Sequence, residues 1–85
     1  PVALSRVQPN PASGLSRVFL TLPAEGYVRA TVVDALGRQL ELVMDSVLPE
    51  GESELVIPDG LAPGTYLLRV EVPGGEETLT FTVAR

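Results

Sequence analysis

The side chains able to do chemistry in this chain are carboxylates and little else. Eleven Asp and Glu residues stand against six basic residues, all of them arginine, with no His, Cys or Lys in 85 residues. Without His, the commonest general base and the commonest transition-metal ligand are both missing. A nucleophilic Ser would need a His or Lys beside it to give up its proton, and neither is present. Paired carboxylates can hydrolyse glycosides, and Glu50, Glu52 and Glu54 are the densest set. Glu52 and Glu54 stand two apart, so they share the outward face of one strand, which is the pattern of a solvated surface. A domain this small also leaves little volume for a substrate cleft beside its core. Calcium needs several oxygens from one loop; Asp59 beside Gly60 offers one carboxylate and Asp45 stands alone. The expectation is no catalytic residue, no metal ligand set and no cofactor.

The charge balance points the same way. A net charge of −5, with arginines scattered from Arg6 to Arg85, gives no basic patch for phosphates, so nucleic acid is not an expected partner. With no cysteine there is no disulfide framework. No apolar run is long enough to form a membrane-spanning helix. The first residues carry neither an initiator Met nor the charged and apolar regions of a secretion leader, so the chain is expected to begin inside a longer protein. Its length suits one domain, residues 1–85, that buries roughly 60% of its unfolded surface.

Positioning falls to β-strands. In residues 77–83 Leu79, Phe81 and Val83 fall on one face and Thr78, Thr80 and Thr82 on the other, the period of a half-buried strand. The same alternation puts Val18, Leu20 and Leu22 inward in 16–22, and Val28, Ala30 and Val32 inward in 27–33. It predicts Leu40, Leu42 and Met44 inward in 39–45, Leu55 and Ile57 in 52–57, and Tyr66, Leu68, Val70 and Val72 in 65–72. A weaker strand spans 2–7. Turn residues divide these runs at 9–14, 23–26, 34–37, 49–51, 58–64 and 73–75. No stretch sustains a capped 3.6-residue period, so no substantial helix is expected. Seven short amphipathic strands at such intervals imply an antiparallel sandwich, with a small closed barrel as the alternative.

Three segments, taken together, resemble a known family. PNPASG at 9–14, VVDALGRQL at 32–40 and LAPGTYLLRV at 61–70 are similar in type, order and spacing to the motifs of type IX secretion C-terminal sorting domains, type A. Where many members carry a Lys-rich approach to the last strand, this chain has EETLTF; where many have Gly-x-His, it has Gly51-Glu52-Ser53. The resemblance implies a seven-stranded antiparallel immunoglobulin-like β-sandwich. It implies a non-catalytic signal at the C-terminus of a secreted Bacteroidota-type protein, fused behind an N-terminal passenger. The implied partners are the outer-membrane translocation machinery and a sortase-like protease. The implied route is the periplasm in transit, then the cell surface or the medium. The domain is expected to be a monomer.

The residues that carry the resemblance also have plain structural roles. Pro9, Asn10 and Pro11 make a stiff turn, Pro11 pushing Asn10 to an extended conformation, with Gly14 closing the segment. Asp34 is expected to bond turn amides, Gly37 to supply positive φ, and Arg38 to be a solvated guanidinium able to grip a carboxylate or phosphate. Gly64 reads as a turn residue and Tyr66 as a core aromatic with its hydroxyl at the rim. Arg85 matches the family's basic last residue. Phe19, Val43, Val56 and Leu67 are apolar at outward positions, and their clustering on one sheet face would make a docking patch. The rival function is an immunoglobulin- or fibronectin-like spacer or accessory domain of a secreted enzyme. A carbohydrate-binding module ranks below both, since two Tyr, two Phe and no Trp leave little to stack on sugars.

Overall fold

Strand formation follows the alternation closely. The computed structural model describes residues 2–9, 12 and 14–84. It contains β1 (Ala3–Leu4), β2 (Ser16–Leu22), β3 (Gly26–Val33), β4 (Gln39–Leu48), β5 (Gly51–Ile57), β6 (Gly64–Val72) and β7 (Gly75–Val83). Two antiparallel sheets result, one in the order β1-β2-β5 and one in the order β4-β3-β6-β7. This is the seven-stranded immunoglobulin-like sandwich that the sequence predicts.

The inward sets meet between the sheets. Val18 lies opposite Leu55 on one side. On the other, Val32 lies opposite Leu68, Ala30 opposite Val70, and Tyr66 opposite Phe81. Val18, Leu20, Val28, Ala30, Val32, Leu55, Leu68 and Val70 are fully buried. Each buried Leu or Val is worth roughly 1.5–3 kcal/mol against leaving it in water. Tyr66 and Phe81 stack with ring centroids 5.7 Å apart and planes inclined by 26°.

Two expectations need correcting. In β4 only Met44 of the predicted inward trio faces the core; Leu40 and Leu42 are exposed. The cause is a pair of register shifts against β3, between Ala30 and Thr31 and between Val32 and Val33. Each puts an extra residue into β4, and each extra residue flips the facing of those that follow. Leu42 consequently sits opposite Thr31 on the outer face. The strand expected over 2–7 is regular only at Ala3–Leu4, although Ser5 and Gln8 continue backbone bonding to β2 at Phe19 and Arg17.

The chain then crosses between sheets. The Ala12 N–H donates to Thr82 O, and the Ala84 N–H donates to Ala12 O, at 2.8 and 2.9 Å. Residue 12 thus pairs parallel with Val83 at the free edge of the larger sheet.

Candidate recognition surface

The register places the described residues of the motif-bearing connections at one end of the sandwich. Ser16, first in β2, lies opposite Ile57, last in β5. Gly64, first in β6, lies opposite Val83, last in β7. Val33, last in β3, lies opposite Gln39 and beside Leu67. Residues 9, 12 and 14, the connections 34–38 and 58–63 and the end of β7 therefore share one pole, called here the loop pole. The turns at 23–25, 49–50 and 73–74 form the opposite, turn pole.

The hairpin 34–38 is closed by one carboxylate. Asp34 Oδ1 accepts from the backbone N–H groups of Leu36 and Arg38, both at 2.9 Å, and Oδ2 accepts from Arg38 Nε at 2.8 Å. The backbone adds Asp34 N to Arg38 O and Gly37 N to Asp34 O. The Arg38 amide, more than its guanidinium and the Leu36 amide, holds the Asp34 carboxyl below its ordinary value of 3.8. Gly37 takes φ +85°, which a side chain would strain. Asp34 and Gly37 fill the roles the sequence predicts. Arg38 is tied through Nε to Asp34 while its side chain stays 70% exposed, so its tip still faces outward.

Tyr66 is fixed from the neighbouring connection. Its ring is buried and its hydroxyl donates to the Ala62 carbonyl four residues upstream. A tyrosine near the start of the sixth strand, bonding back in this way, is the tyrosine corner of immunoglobulin-type sandwiches. Gly64 begins β6 and is not in a turn of its own. Pro9 and Gly14 are exposed where the chain crosses between sheets. Asn10, Pro11 and Arg85 lie outside the described residues.

Two concavities open at this pole. An apolar groove of about 190 Å³ runs between the 34–37 turn and the start of β6, lined by Val33, Ala35, Thr65, Tyr66 and Leu67 among others. A smaller cavity of about 70 Å³ lies between the crossing segment and the 57–61 connection, with the unpartnered buried Ser16 hydroxyl at its wall. A polar wall of this kind suits ordered water. Leu36, 78% exposed, stands at the tip of the hairpin.

The single docking patch expected of Phe19, Val43, Val56 and Leu67 does not form. Phe19 and Val56 belong to the outer face of the smaller sheet, where Arg17 opposite Val56 also pairs with Glu54 at 3.1 Å. Leu67 lies on the outer face of the larger sheet. Val43 is half-buried against the core beside the upper shift in β4. Sequence alternation states which residues point outward, but not which sheet they point from. Among the described residues no group of three His, Cys, Asp or Glu side chains comes together as a metal centre.

The turn pole is different in kind. It carries Glu25, Glu50, Glu52, Glu71, Glu76 and Glu77, with Glu71 directly opposite Glu76. Arg29 pairs with Glu71 at 3.6 Å. The exposed Tyr27 hydroxyl donates to Asp45, and that bond to a carboxylate raises the phenol above its ordinary value.

Comparison with known protein families, with curated proteins and with solved structures finds no match.

Proposed function

We propose that the chain is a non-catalytic C-terminal sorting domain, directing a fused passenger across the outer membrane through a type IX secretion system. The observation that carries this reading is convergence. The three segments that resemble the sorting-domain motifs are far apart in sequence, yet residues 9, 12 and 14 of the first, the 34–38 hairpin of the second and the beginning of the third, which then runs along β6, lie at one pole. That pole combines loops braced by their own hydrogen bonds with an apolar groove and an outward guanidinium. A translocon that reads folded cargo needs a surface that keeps its shape before contact, because preformed contacts cost less ordering on binding. The absence of His, Cys and Lys supports the non-catalytic part. In this reading the partners are the translocation machinery and a sortase-like protease, and the passenger ends at the surface or in the medium.

One observation favours a second reading, an immunoglobulin-like spacer. Asp34 and Tyr66 each complete a turn or corner that a sandwich needs whatever its function. A fusion separates the two. Residues 1–85 are placed behind a periplasmic reporter in a host with an intact type IX system. Surface delivery of the reporter is expected; retention in the periplasm with the domain folded identifies a spacer.

A further inference from the structure

The two sheets leave four edge strands, β1, β4, β5 and β7. An edge strand presents a row of unpaired backbone N–H and C=O groups to any strand that can join it. Three of these four are blunted. β1 has two residues. β4 is bent by its two register shifts. β5 is flanked by β4, which joins it through residues 49–50. β7 is different: it pairs with β6 from Gly75 to Val83 without a shift, and it carries no proline.

The chain itself seats a residue on this edge. The Ala12 N–H donates to Thr82 O, and the Ala84 N–H donates to Ala12 O, so the backbone of the even-numbered residues faces away from β6. By alternation the N–H and C=O groups of Glu76, Thr78 and Thr80 face the same way. Among the described residues nothing pairs with them, since β6 is the only strand beside β7 and Ala12 meets only its end. Glu76, Glu77, Thr78 and Thr80 are exposed, and Leu79 is half-buried against the core.

The side chains along this open stretch define what fits. A residue set beside Leu79 on the core side gains by being apolar. The charges call for cations. Glu71, opposite Glu76, holds Arg29, while Arg69 stands diagonal to Glu76 with no ion pair between them. Arg29 and Arg69 thus face Glu71, Glu76 and Glu77, which leaves this corner net negative, as is the whole chain at −5. A second copy is the poorer occupant. Antiparallel pairing of two β7 edges about Thr78 sets Glu77 against Leu79 and joins two chains of like charge.

We propose that the edge of β7 at residues 76–80 accepts an extended segment of a partner protein as an added antiparallel strand, with an apolar residue beside Leu79 and basic residues beside Glu77 and Glu76. Strand addition here is independent of the sorting role, and its test does not report on export.

The test is an NMR titration of the isotope-labelled 85-residue chain with acetyl-Thr-Val-Thr-Arg-Arg-amide. In the proposed register its valine meets Leu79 and its arginines meet Glu77 and Glu76. The amides of Glu76, Thr78 and Thr80 are expected to shift and to gain protection from hydrogen exchange. A twin N-methylated at the central threonine cannot donate to Thr78 O and should need at least about tenfold higher concentration. A twin ending in Glu-Glu should need at least about threefold more. Thr78→Pro removes an outward N–H that β6 does not use and should abolish binding, whereas Thr78→Ala keeps the backbone and should bind within about twofold of wild type. If Thr78→Pro fails to fold, the N-methylated twin decides on the wild-type chain. Binding of either twin as tight as the parent peptide overturns the proposal. So does the absence of shifts up to about 10 mM, or movement of the same signals on simple concentration of the chain, which would assign the edge to a second copy.

Discussion

The two poles of the sandwich are held in shape by different means. At the loop pole the connections bond to themselves and to the sheets: Asp34 closes its hairpin, Tyr66 ties the connection before β6, and Ala12 is stitched to Thr82 and Ala84. At the turn pole order comes from close packing and brevity. Gly26 lies so near Pro73 that a Cβ there would meet the ring Cγ at 2.4 Å. The charges differ as well. The loop pole's described carboxylates are Asp34, already paired, Glu41 and Asp59, whereas the turn pole is crowded with glutamates. A pole braced from within keeps one surface without help from a partner. A pole of short acidic turns has a hollow of its own beside Tyr27, Val72 and Pro73, but its charge repels acidic partners. The sorting proposal assigns recognition to the first and solubility to the second.

This contrast can be broken by substitution, and the largest effect belongs to Tyr66. Tyr66→Ala removes a buried ring stacked on Phe81 and should cost about 3–5 kcal/mol in urea unfolding. Gly26→Ala forces Pro73 to move and should cost about 1–3 kcal/mol by the same measurement. Should Gly26→Ala prove neutral, the turn pole is looser than described and the contrast fails. Tyr66→Phe isolates the hydroxyl and should cost about 1 kcal/mol, since only the bond to Ala62 is lost.

Asp34 sharpens the comparison through pH. Its carboxyl is held below 3.8 when folded, chiefly by the Arg38 amide, so it stabilises the fold fully above that pH. The contribution disappears as pH falls through the lowered value. Wild type should therefore exceed Asp34→Asn by a constant margin at neutral pH, and that margin should shrink below pH 3.8. A margin that grows on acidification would contradict the bonding described for the hairpin. The smallest effect is expected at the turn pole, where Glu25→Gln with Glu50→Gln should change stability by less than about 0.5 kcal/mol.

What the sequence disclosed depended on the distance over which each feature is set. Ser16–Leu22 is the strand the alternation predicts, because its pattern is strict and turn residues bound it. Asp34, Gly37 and Arg38 were legible for a similar reason: their bonds span at most four residues. The facing of β4 was not, since its two shifts arise from pairing with β3, and a segment reading LELVM satisfies more than one register. The neighbours of Arg69 were hidden too: Thr31 and Thr78 directly across and Arg29 and Glu76 on the diagonals are set only once β3, β6 and β7 are aligned. The outward apolar residues failed as a cluster because sheet membership, which alternation does not encode, sends Phe19 and Leu67 to opposite outer faces.

One export assay compares the two poles directly. Two variants of the reporter fusion are made, one with Leu36→Ser and Arg38→Ser at the exposed hairpin tip, the other with Glu25→Gln and Glu50→Gln at the turn pole. Both should keep the folded spectrum of the parent. Loss of surface delivery is expected for the first and normal delivery for the second. Normal delivery of the hairpin-tip variant together with failure of the turn-pole variant would contradict it.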